Sequence, residues 1–236
     1  MLNQIDNRVF GIFIIQPIVI LFFIYIVIRI LKRNRNLLTI TLSTFYILSA
    51  AGFIINIFFL IGTLLPVDLT LILSILYYIT SFLVIFSQIF LVIFLFLLKQ
   101  QDFSSKSYIL LTSFYGLGCL LILLIPGGID IGIHTDWIPK YSWMNLIIFY
   151  IFFSLIIFIP TIYLLTKLFI SFQDRDLRRK FFLFMIGIFS MLVSVYGLVL
   201  YNTWHDPPTF RAIWSIISLM VIPAGLLIYN GIGQNL

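Results

Sequence analysis

Residues 69–98 read LTLILSILYYITSFLVIFSQIFLVIFLFLL, and this stretch decides the fold. It contains no charged residue. A helix that crosses the hydrocarbon core of a bilayer needs about 20 apolar residues, so the stretch spans a membrane with length to spare. Outward from it in both directions the chain repeats the same texture. The 236 residues are 62% apolar and only 9% charged, against roughly a quarter charged in a globular domain. The expectation is an all-α integral membrane protein, a seven-transmembrane helix bundle forming a single membrane domain over residues 1–236. Its spans fall at about residues 9–30, 38–64, 69–98, 108–125, 143–171, 181–201 and 210–228. The first apolar run is too long for a signal-peptide core and no small-residue cleavage site follows it, so it reads as a retained span.

Small and polar residues recur at steps of three and four within these spans. The second carries Ser49, Gly52, Asn56 and Thr63; the third Ser74, Tyr77 or Tyr78, Ser81 and Gln88; the sixth Gly187, Ser190, Ser194, Gly197 and Tyr201. Such residues share one helical face. Helices in lipid gain from close backbone approach and interhelical hydrogen bonds, so these faces are expected to point into the bundle. Pro160 and Pro223 are expected bend points in spans five and seven.

The charges set an orientation. Connections one, three and five, with the adjoining span ends, hold Arg29, Lys32, Arg33, Arg35, Lys99, Lys106, Lys167, Arg175, Arg178, Arg179 and Lys180. Only Arg8, Lys140 and Arg211 fall on the other side. Basic residues mark the cytoplasmic face, which places the N-terminus outside, the C-terminus in the cytoplasm, and the chain in the cell membrane as a multi-pass protein. The inner residues Arg33, Arg35, Arg175, Arg178, Arg179 and Lys180 form a candidate surface for anionic lipid or a cytoplasmic partner.

The longest polar interruption, residues 127–143, reads GGIDIGIHTDWIPKYSW and lies on the outer side in this arrangement. With the loop before span seven it makes an outer collar of His134, Asp136, Trp137, Trp143, Trp204, His205, Asp206 and Trp214, the candidate ligand-binding residues. Imidazole and carboxylate suit divalent metals, but His134/Asp136 and His205/Asp206 match no ligand spacing, and no metal is assigned. The tryptophans admit two explanations. One is an interfacial belt with indole rings at headgroup depth. The other is an aromatic pocket open to the outside, which the absence of any inner Trp favours.

Catalytic chemistry finds no foothold. The chain has no Glu, no HExxH or GxSxG motif, no phosphate-cradling Gly-rich loop, and one cysteine, Cys119, inside an apolar run. No ionisable residue stands near the centre of a span, where ion-coupled transporters usually carry one. The reading is therefore a non-enzyme without a cofactor and without nucleic acid among its partners, since the net charge of +6 is accounted for by topology.

Seven spans, an outer WIPKYSW before span five with Trp137, Pro139 and Tyr141, and the run Arg178, Arg179 and Lys180 before span six give a layout. That layout resembles the seven-transmembrane N-terminal sensor region of prokaryotic, archaeal-type histidine kinases. The resemblance implies a sensor-like or receptor-like module that detects a ligand or membrane state at its outer face and transmits it through spans five to seven. No phosphoacceptor histidine or ATP-binding domain follows span seven in the sequence, so either the implied partner is a separate cytoplasmic signalling protein or the chain is an excised or stand-alone relative, with membrane lipids around the bundle. The alternatives are a structural or assembly subunit, with the other membrane-complex subunits as partners, and a small-molecule channel or facilitator.

Overall fold

The computed structural model describes residues 11–65, 69–99, 104–205 and 208–233. Six helical stretches are long and apolar enough to cross a membrane: Ile12–Arg33, Leu37–Thr63, Thr70–Lys99, Lys106–Leu123, Trp143–Ser171 and Arg175–Thr203. The chain is an all-α, multi-pass membrane protein. Within these stretches lie α1 (Gln16–Arg33), α2 (Leu37–Thr63), α3 (Thr70–Lys99), α4 (Ser105–Leu123), α5 (Trp143–Phe153), α6 (Ile159–Ser171) and α7 (Arg175–Thr203). A further apolar segment is helical in pieces: α8 (Pro208–Ile217), a 3-10 turn (Ser218–Met220), α9 (Val221–Ile228) and a π turn (Tyr229–Gly233). Its apolar part, Ser218–Ile232, is shorter than the other six.

Local chemistry starts these helices. Asn36 caps α2 in a reciprocal box, accepting from the Thr39 N–H at 2.8 Å while the Asn36 N–H donates to Thr39 Oγ1 at 3.0 Å. Ser104, Ser142 and Asp174 cap α4, α5 and α7 through their side-chain oxygens. The last of these departs from the sequence expectation, which treated the basic QDRDLRRK as a connection. Asp174 caps early enough that Arg175–Lys180 become the first turns of α7, and four basic side chains are displayed on a helix.

Three prolines shape the irregular turns. Proline lacks an N–H and its ring collides with the carbonyl four residues back. Accordingly, π turns Gly11–Ile15 and Ser154–Phe158 lie just before Pro17 and Pro160, and the 3-10 turn Ser218–Met220 lies before Pro223. The fifth stretch is thus α5, π turn and α6 in series.

Helix α3 is the axis, with 61% of its most apolar window inside the protein. It packs against α2, α4, α6 and α7, while α1 bridges α2 to α9 and α9 lies along α7. The polar stripes face inward in part, since Ser74 of α3 and Ser190 and Ser194 of α7 are only half-buried and donate to carbonyls of their own helices. Ser49 Oγ donates to Ser87 Oγ at 2.9 Å between α2 and α3, and Gln88 Nε2 donates to Ser87 Oγ at 3.2 Å. Tyr46 Oη donates to the Gly225 carbonyl at 3.1 Å and Tyr115 Oη to that of Ile85 at 3.1 Å. At Gly187 a Cβ would stand 2.8 Å from the Ala224 oxygen and 2.9 Å from the Ile228 nitrogen, so only glycine lets the backbones of α7 and α9 meet there. The outer surface is apolar, with Leu21, Leu71, Leu110 and Ile170 all about 70% exposed. Patches of this extent belong against lipid rather than water.

Candidate functional site

One face of the bundle carries a folded cap, built by the connection between α4 and α5. Gly127 enters with φ +69°, which glycine adopts at no steric cost. Strands β1 (Ile129–Asp130) and β2 (Lys140–Tyr141) then pair antiparallel, Ile129 opposite Tyr141 and Asp130 opposite Lys140. The Ser142 N–H donates to the Gly128 carbonyl at 2.9 Å, and Asn145 Nδ2 donates to the Ile122 carbonyl at 2.9 Å, tying the start of α5 to the last turn of α4. Between the strands, Thr135 Oγ1 accepts from the Gly132 N–H at 3.1 Å and closes the 3-10 turn Ile133–Thr135. Asp136 and Trp137 follow, both left-handed at φ 52° and 56°. Two consecutive non-glycine residues in that region are sterically disfavoured, and the reversal swings the Trp137 indole back onto the bundle.

The cap is clamped to several helix ends. The Trp137 ring meets Phe59 of α2 edge-on at 6.3 Å, and Phe59 lies 5.8 Å from Tyr77 of α3. Tyr77 Oη donates to Tyr141 Oη at 2.7 Å, with both hydroxyls buried. Burial pushes the Tyr141 hydroxyl above the usual phenol range, the bond from Tyr77 working against that shift. Strand β2 also rests on α7. The cap therefore touches α2, α3 and α7 at once.

The collar residues divide. His134 is exposed, with Nε2 2.6 Å from Asp130 Oδ1 across one turn of the cap, a surface pair of little energetic weight. Asp136 is exposed, Trp137 is half-buried on Phe59, and Trp143 stands exposed at the first turn of α5. A second group forms where α7 passes to α8. The Trp204 ring lies 5.2 Å from Phe210, and Phe210 stacks 6.3 Å from Trp214. Trp214 covers Gly197 so closely that a Cβ there would overlap the indole. Beside it the Arg211 guanidinium sits 4.6 Å from the Tyr201 ring centroid and donates to Tyr201 Oη at 3.2 Å. His205 is half-buried nearby in the chain, and Asp206 lies outside the described residues. Among the described residues no group of three or more His, Cys, Asp or Glu side chains gathers.

The opposite face is basic. Arg33, Arg35, Arg175, Arg178, Arg179 and Lys180 are all exposed there. The Arg178 guanidinium lies 4.5 Å from the Phe169 ring centroid. The contacts of the cap that the sequence concealed are those of Phe59 and the Tyr77–Tyr141 pair. Tyr77 was visible as part of a stripe, but nothing in the sequence joins it to a residue 64 positions away.

No family model, curated protein or solved structure matches this chain.

Proposed function

We propose that the protein is a seven-span membrane sensor, with α8 to the final π turn as the seventh span, the N-terminus outside and the cap on the outer surface of the cell membrane. The excess of basic residues on the face opposite the cap supports this orientation. The observation that carries the sensor reading is the three-way clamp of the cap: Trp137 on α2, Tyr141 on α3 and β2 on α7. A ligand or a change of lipid packing that shifts the cap pulls on helices from both halves of the bundle. Helix α7 runs from that contact straight to the exposed basic turn Arg175–Lys180. A displacement at one end of a packed helix is transmitted to the other, because a close-packed interior does not absorb it.

In this mechanism the interrupted elements supply the alternative packings. The π turn Ser154–Phe158 faces α7, where Ser154 Oγ is hydrogen-bonded to Tyr196 Oη and Tyr150 Oη donates to the Tyr196 carbonyl at 2.7 Å. Phe158 meets the same tyrosine ring at 5.8 Å. Tyr196 is thus the seat on which the fifth stretch turns. The basic face, through Arg33, Arg35, Arg175, Arg178, Arg179 and Lys180, engages a cytoplasmic signalling partner.

The test needs no ligand. A bimane label on Arg179→Cys, in a Cys119→Ser chain reconstituted in nanodiscs, reports the environment at the basic face. Substituting Tyr141→Phe or Trp137→Ala should shift its emission, whereas Met144→Ala, on the lipid-exposed side of α5, should not. Identical spectra for all three variants would sink the sensor reading.

A further inference from the structure

On the basic face two lysines from different helices converge on one ring. Lys99, the last residue of α3, holds its Nζ 5.6 Å from the Tyr163 ring centroid, and Lys167 of α6 holds its Nζ 4.7 Å from the same centroid. All three side chains are exposed. Elsewhere on this face a single cation meets a single ring: Arg29 lies over Tyr25 and donates to its hydroxyl at 3.0 Å, and Arg178 lies over Phe169. Among the described residues no carboxylate lies within ion-pair distance of Lys99 or Lys167. Two ammonium groups brought to one tyrosine concentrate positive charge at one place, which attracts an anion.

We propose that Lys99, Lys167 and Tyr163 form the headgroup site of an anionic phospholipid, its phosphate held between the two ammonium groups. Depth and surroundings select a lipid over a soluble anion. Lys99 is the last described residue of α3, after an apolar run of full spanning length, and Lys167 lies in the last two turns of α6, so both stand where headgroups lie. Ile159, one turn deeper than Tyr163, is exposed together with Ile162, the residue just before Tyr163, and the two offer apolar surface for an acyl chain. On α3 the half-buried Phe96, three residues before Lys99, lines a mostly apolar groove with Ser107, Leu110, Leu111 and Phe114 of α4. An acidic peptide or free phosphate would leave these apolar surfaces unused. The lipid so held would join α3, the axis of the bundle, to the segment beyond the π turn. The site stands independently of the sensor reading.

Native mass spectrometry of the full chain, in micelles containing both phosphatidylglycerol and phosphatidylcholine, tests it. The wild type should keep one phosphatidylglycerol under activation that strips phosphatidylcholine. K99Q/K167Q should lower the retained fraction about tenfold, the equivalent of losing about 1.4 kcal/mol of binding, while R29Q/K32Q, two exposed basic positions outside the candidate binding surface and with the same loss of charge, should leave it near wild type. K99R/K167R should restore retention, and size-exclusion profiles together with helical circular dichroism confirm that the compared variants are folded. Equal losses in the two glutamine doubles, or equal retention of both lipids by the wild type, would overturn the proposal. Displacement of the retained lipid by inorganic phosphate alone would also overturn it, assigning the site to a free anion.

Discussion

Tyr141 and Tyr77 show how a single hydroxyl pair sets the position of a whole loop. The 2.7 Å bond between them is buried, so either phenol left alone loses its partner without gaining water. Tyr141→Phe and Tyr77→Phe should each destabilise the protein, and the double variant should cost less than the two together. The coupling should fall at about 0.6–1.7 kcal/mol, as for interhelical hydrogen bonds measured in membrane proteins. Unfolding titrations in mixed micelles give all four values, and strict additivity would mean that the bond contributes nothing. Gly197 makes a different case. A methyl group there overlaps the Trp214 indole, so Gly197→Ala should drive the ring off α7, red-shift its emission and lower stability by about 1–3 kcal/mol, as overpacking does. An unchanged spectrum would show that the indole has room to yield.

Among elements, the fifth stretch is the one whose shape rests on one residue. Pro160 demands relief from the carbonyl of Ile156, and the π turn Ser154–Phe158 provides it while directing Ser154 at Tyr196. Pro160→Ala removes that demand. Spin labels on Ile147→Cys and Ile170→Cys, both on exposed positions, should then report a changed and narrower distance distribution, with stability equal to or above wild type. The same distribution in both chains would show that packing, not proline, holds the turn. The sequence announced Pro160 and Pro223 as bend points because proline carries its own steric rule. It could not announce which irregular turn answers each one, since that depends on the neighbour across the interface. The same boundary runs through the candidate site. The six long apolar helices were legible from hydropathy, and the inward faces of Ser49, Gln88, Gly187 and Gly197 from their spacing. Trp137 was legible as unusual, but its seat on Phe59 follows from two left-handed residues that no periodicity reveals. The helical start at Arg175 was hidden because its signal is one capping aspartate within a charged run.

For the molecule as a whole, the two faces carry separable labels. Lys140→Cys in the cap should react with a membrane-impermeant maleimide on intact cells, and Arg179→Cys only after permeabilisation, both in a Cys119→Ser background. The reverse pattern would invert the orientation and with it the sensor reading. The central place of α3 has a consequence for how the molecule is made. A chain threaded into the bilayer in order presents α3 before α4, α6 and α7 exist to cover it. At that moment α2 is its main companion, and the Ser49–Ser87–Gln88 contacts are available to hold the two as a hairpin. The later spans therefore condense around a pair already assembled. An error in the α2–α3 hairpin would be inherited by every span that packs on α3, whereas a fault in the broken segment α8–α9 would act first on α1, α2 and α7, the helices it touches.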